Sequence, residues 1–162
     1  MIKATFPEHS SMLMIGSPGI GMLEFAVSIA KDWIEQDSMV IFVTVDLLPN
    51  DLLEVMSSFG ISPEALGRNL FIIDYHSSLL GSVDEAPSSN GTEIRTVSDL
   101  EGIMFNVAAL AEGTKKSVKI VVHSLSTLFL YNQPNVVLKF FQISSSRIRN
   151  EFGTVFFTVH DC

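Results

Sequence analysis

The sequence predicts an α/β domain with a mainly parallel sheet and helices on both faces. Three observations carry that expectation. Short apolar runs recur five times along the 162 residues. Longer stretches between them place apolar residues at helical spacing. Glycine, aspartate or a polar cluster closes most of the runs, as at the edges of alternating strands and helices.

Each element follows from local sequence. Met12-Leu13-Met14-Ile15 is a buried strand that stops at Gly16. Phe25, Ile29, Ala30 and Trp33 then share one helix face, and the Trp33 indole needs only one hydrogen-bond partner there. Val40 to Val45 is a β-branched second strand. Pro49-Asn50-Asp51 opens a helix with Leu52, Leu53, Val55, Met56 and Phe59 on its apolar face, and Gly60 ends it. Leu70 to Ile73 is a third strand, closed by Asp74. Residues 76 to 97 are polar, carry an Asn90-Gly91 turn signal and read as the longest loop. Ser98-Asp99 caps a helix that runs to Glu112 and stops at Gly113. Val118 to Val122 is a fourth strand. A helix from Asn135 to Asn150 packs through Phe140, Phe141, Ile143 and Ile148, and Thr154 to Val159 is a fifth strand. No internal repeat or boundary divides the chain, so residues 1–162 read as a single domain. Ligands of such sheets bind beyond the carboxyl ends of the strands. Those ends carry Gly16, Asp46, Asp74, His123 and His160.

Composition excludes several function classes. The net charge of −8 opposes nucleic-acid binding, which depends on basic residues neutralising phosphates. The one cysteine, Cys162, permits neither an internal disulfide nor a cysteine-based zinc site, which fits a reducing cytoplasm. Lys3, Glu8 and His9 interrupt any leader-like run, and no run approaches the roughly 20 apolar residues of a membrane span. Charged residues make up only 17% of the chain. Either a partner covers apolar surface or a parallel sheet buries most of it.

The most specific local signal follows the first strand. Gly16-Ser17-Pro18-Gly19-Ile20-Gly21-Met22-Leu23 keeps the glycines of the phosphate-binding pattern G-x-x-x-x-G-K-[ST] and lacks its last two residues. The glycines permit a tight loop of backbone N–H groups at a helix start. Lysine would neutralise the β/γ-phosphates, and the hydroxyl would bind Mg²⁺. Met22 and Leu23 do neither, read better as core or interface residues, and are followed by Glu24, which repels polyphosphate. The fourth strand supplies His123-Ser124 where an aspartate would help hold Mg²⁺. Neutral imidazole is a poor ligand for that ion.

These residues resemble the KaiC family within the RecA/RadA-like ATPases, over almost the whole chain. Phe42-Val43-Thr44-Val45-Asp46-Leu47-Leu48-Pro49-Asn50-Asp51 is similar to the family's Phe-Val-Thr-Phe-Glu-Glu-x-Pro-x-Asp segment. Ser57-Ser58-Phe59-Gly60, Leu70 to Asp74, and the Ser-x-x-x-x-Phe pattern from Ser124 to Phe129 are similar too. The family's paired glutamates activate the attacking water. Asp46 retains one carboxylate and Leu47 has lost the other. His123-Ser124 departs from the family's Asp-Ser. The resemblance implies a three-layer RecA-like P-loop fold with strand order 5-1-4-3-2. It also implies strands beyond the fifth that contribute to subunit contacts and nucleotide binding. Here that extension is either missing or belongs to a shorter variant, which counts against a hexamer.

The functional expectation is therefore a pseudo-ATPase: an inactive KaiC-like domain acting in regulation or signalling, through a protein partner or a homo-oligomer. The alternative is a weak nucleotide sensor without efficient hydrolysis. An active ATPase would need its missing cation from a partner subunit. No cofactor is expected, ATP or ADP binding is weak or absent, and Mg²⁺ is not expected. Asp46 is a residual base only in vestige and reads as a solvated or capping carboxylate. The vestigial nucleotide site is Gly16 to Leu23 with His123. No metal site is expected, because in the implied order the strands of His123 and His160 flank strand one, not each other. Arg147 and Arg149 read as a solvated helix end.

Overall fold

The computed structural model describes residues 6–17, 19–81 and 93–161. Pro18, the Asn90-Gly91 turn and Cys162 lie outside the described residues. In chain order the elements are β1 (Ser11–Gly16), α1 (Met22–Glu35), β2 (Met39–Thr44), α2 (Pro49–Ser58) and β3 (Leu70–Asp74). A short α3 (His76–Leu79) and β4 (Ile94–Thr96) follow. The chain continues through α4 (Leu100–Glu112), β5 (Val118–His123), α5 (Leu125–Tyr131), α6 (Pro134–Arg147) and β6 (Gly153–His160).

The six strands form one all-parallel sheet in the order β1-β6-β5-β2-β3-β4. This corrects the expected order. The fifth predicted strand, β6, sits between the first and the fourth instead of outside the first, and the second predicted strand, not the third, lies beside the fourth. β4 is an additional strand inside the expected long loop, pairing Ile72 with Ile94 and Asp74 with Thr96. The segment after Ser124 is also helical: Ser124 caps α5, a helix the periodicity had not singled out.

Alternation along the strands builds three layers. Val40, Phe42, Leu70, Ile72, Val121 and Phe156 face α1 and α2. Ile41, Val43, Ile73, Ile120, Val122 and Phe157 face α4, α5 and α6. Because helices cover both faces, every residue of β2, β3 and β5 is buried, and the strands carry near-continuous apolar runs. Trp33 is buried on α1 as its spacing predicts. Asp99 caps α4, accepting a hydrogen bond from the Gly102 N–H at 2.6 Å.

At the amino ends of the strands, buried Lys119 donates to Glu8 at 2.9 Å and sits 5.8 Å from the centroid of Trp33. The Lys119 hydrogen bond holds the Glu8 carboxyl below its ordinary range. This pair ties the residues preceding β1 to the sheet. No helix among the described residues is long and apolar enough to cross a membrane.

Candidate functional site at the strand ends

The glycine loop leaves β1 at Gly16 and enters α1 at Met22. Gly19 and Gly21 take φ of 88° and 84°, a left-handed backbone that glycine adopts without a Cβ clash. The side chains are a different matter. Met22 is 4% exposed, and Leu23 packs against the α1–α2 core. A Cβ on Gly16 would lie 2.3 Å from Ile20 Cδ1 and 3.3 Å from Met22 Cε. Apolar atoms of the loop thus rest against its own first glycine. Ser17 is exposed, and Glu24 occupies the first turn of α1.

The sheet brings the other strand ends to the same place. Gly16 pairs with His160 across β1 and β6, and Thr44 pairs with His123 across β2 and β5. Asp46 lies two residues beyond Thr44, in a turn fixed by the Thr44 hydroxyl donating to the Leu47 carbonyl at 2.6 Å. His123 Nε2 is 3.5 Å from Asp46 Oδ2. Its Nδ1 is 2.8 Å from Thr158 Oγ1. The Ser124 hydroxyl donates to the Asp46 carboxylate, at 3.1 and 3.0 Å from its two oxygens. The His123 and His160 rings meet edge to face with centroids 5.9 Å apart. The His160 N–H of the main chain donates to Ser126 Oγ at 2.6 Å.

Burial pushes the His123 imidazole below its ordinary pKa, and the nearby Asp46 carboxylate opposes that shift. Desolvation is the larger effect, so His123 favours the neutral state.

The adjacency of β5 and β6 removes the ground on which His123 and His160 were expected to converge only loosely. One ligand atom from each of Asp46, His123 and His160 lies within 4.8 Å of the other two. Asp46 does not cap α2, whose N-cap is Leu48. Its carboxylate is tied to Ser124 and faces His123. Asp74 is 2% exposed and accepts hydrogen bonds from the N–H and hydroxyl of Ser77. It acts as a turn-forming side chain. Arg147 pairs with Glu151 at 3.3 Å and stacks on Phe152, away from this cluster. The sequence reading missed Thr158 and Ser124 as positioning residues. Thr158 lies two positions before His160, on the strand that passes beside His123, and strand order was needed to see it.

A family model described as "ATPase: KaiC" matches residues 1–161. No curated protein matches the chain. Among solved structures, an uncharacterized protein from Pyrococcus horikoshii in complex with an unknown peptide is similar, with a TM-score of 0.72 at 15% identity. That match covers 96% of this chain and 70% of the other. A KaiC-like protein from Pyrococcus horikoshii OT3 gives a TM-score of 0.62 at 18% identity, covering 96% of this chain and 63% of that one. At such identities the likeness shows a common fold, and it agrees with the parallel three-layer architecture. The family model adds what the fold does not, and on a match over residues 1–161 the chain belongs to the KaiC family of ATPase domains.

Proposed function

We propose that this domain acts through contact with another protein and does not hydrolyse nucleotide. The observation that carries this reading is the packing of Met22 and Leu23. They stand where a P-loop presents a lysine and a hydroxyl; Met22 is buried with its Cε against Gly16 of the loop, and Leu23 packs against the α1–α2 core. His123 compounds the loss, since a buried neutral imidazole replaces the carboxylate that would share Mg²⁺.

Exposed apolar surface supports a protein partner. A groove of about 270 Å³ between α4 and α6 is lined by Leu100, Met104, Val136, Phe140 and Ile143, with Glu101 and Lys139 at its rim. Phe105 on α4 and Leu130 on α5 are 74% and 79% exposed. Surface of this kind marks contact sites more often than solvated faces. A structural neighbour was crystallised with a peptide, which accords with a peptide-contacting use of the fold. The partner is a second copy of this chain or a different protein. The net charge of −8 argues against nucleic acid. The lone cysteine favours the cytoplasm.

A second reading is favoured by the backbone of Gly19 and Gly21, which keeps a tight loop at the start of α1. Such a loop supports weak, metal-independent nucleotide sensing. Phosphate release from ATP in the presence of Mg²⁺ separates turnover from both readings. The expected rate equals that of the protein-free reaction. Turnover that disappears in Asp46→Asn would sink the non-hydrolysing reading, because a contaminating ATPase would not respond to that change.

A further inference from the structure

We infer that Asp46, His123 and His160 form a binding site for a borderline divalent transition metal, with Zn²⁺ as its representative. This inference holds whether or not nucleotide binds to the neighbouring loop.

The distances are close to those that a metal imposes. Ligand atoms about 2.1 Å from a tetrahedral ion lie about 3.4 Å from one another. His123 Nε2 and Asp46 Oδ2 are already 3.5 Å apart. No pair in the trio exceeds 4.8 Å. His160, at the end of β6 and half-buried, supplies the third donor atom within that distance.

The surrounding hydrogen bonds aim the donors. Thr158 Oγ1 is placed to donate to the Val122 carbonyl at 3.4 Å and to accept from His123 in the tautomer that carries its proton on Nδ1. In that tautomer His123 presents the bare lone pair of Nε2 to the Asp46 carboxylate. Two lone-pair donors facing each other at that distance repel unless a cation lies between them. Histidines that bind metals are held in this way, with the second ring nitrogen donating to a neighbour. Asp46 is oriented in turn by the Ser124 hydroxyl. His160 Nδ1 is buried and has no hydrogen-bond partner. Buried polar atoms of this kind are uncommon, and a bound cation would satisfy this one.

The donor set selects the class of ion. Two imidazoles and one carboxylate suit Zn²⁺, Co²⁺ or Fe²⁺, whereas Mg²⁺ and Ca²⁺ prefer oxygen ligands throughout. Three protein ligands leave a position for water or for a donor atom from another molecule. Gly16, paired with His160, places the start of the glycine loop beside this ligand.

The test uses the full chain without an affinity tag, stripped with chelator and free of nucleotide. Zn²⁺ is titrated by calorimetry, and Co²⁺ is followed by its visible d–d absorption. The expected result is one ion per chain, not displaced by excess Mg²⁺. Asp46→Asn and His160→Ala should each weaken binding by at least about 100-fold while the circular dichroism stays unchanged. His9→Ala, which removes a surface imidazole outside the trio, should bind as the parent does. Absence of saturable Zn²⁺ binding would overturn the assignment. So would binding indifferent to both Asp46→Asn and His160→Ala, or displacement by Mg²⁺.

Discussion

Gly153→Ala is expected to destabilise the domain by about 3 kcal/mol, a fall in Tm of roughly 6–12 °C for a chain of this length. The reason is a backbone approach, not a special dihedral. Gly153 opens β6 and pairs with Val118 of β5. A Cβ at this position would lie 2.0 Å from the Val118 carbonyl oxygen and 3.0 Å from its carbon. A flexible side chain could move aside, but a strand backbone cannot do so without breaking the ladder. β6 lies between β1 and β5, so its displacement disturbs two strand pairings at once. Gly113→Ala is the control. A Cβ at Gly113 would meet its nearest atoms at 3.6 and 3.7 Å, which is ordinary contact. That change should be neutral or slightly stabilising. Urea unfolding of both variants decides the matter, and equal midpoints would contradict the close pairing of β5 and β6.

Phe42→Ala should cost about 4 kcal/mol. Phe42 is fully buried on β2, an interior strand between β5 and β3, in the core shared with α1 and α2. Truncation removes the apolar area of the ring and leaves a cavity that well-packed neighbours fill only in part. Phe105→Ala removes the same atoms from a residue that is 74% exposed. It should change stability by no more than about 0.5 kcal/mol. The contrast between the two, measured by thermal unfolding, isolates burial from residue type. A similar loss in both variants would mean that α4 packs differently from the arrangement described.

Much of this architecture is legible in the sequence because its strands are buried on both faces. Continuous runs such as Val40–Val45 and Val118–Val122 announce themselves, and Gly16, Gly60 and Asp99 mark the element ends. β4 was not legible. It has three residues, Ile94, Arg95 and Thr96, which are too few to show a period. Strand order was not legible either, because hydrophobic pattern reports which residues are buried and not which strand lies beside which. Position in the sheet is what brings His160 to His123, and with it the candidate metal trio. The chemistry of the glycine loop was legible in part. Absence of the lysine and hydroxyl is written in Met22 and Leu23, whereas the contact of Ile20 and Met22 with Gly16 is a property of the folded loop.

Asp46 illustrates how residue identity and surroundings combine. Taken alone, a carboxylate after the second strand is compatible with a base, a cap or a solvated charge. Ser124 and His123 narrow these roles. The hydroxyl fixes the carboxylate, and the buried imidazole faces it. A group held in this way is suited to a bound cation.

Calorimetric titration of the purified chain with ATP and ADP, each with and without Mg²⁺, tests the central claim most directly. The account predicts no measurable heat at millimolar nucleotide, or at most weak binding that Mg²⁺ does not change. Tight, Mg²⁺-dependent binding would contradict it, since Met22, Leu23 and His123 would then have left the nucleotide site intact.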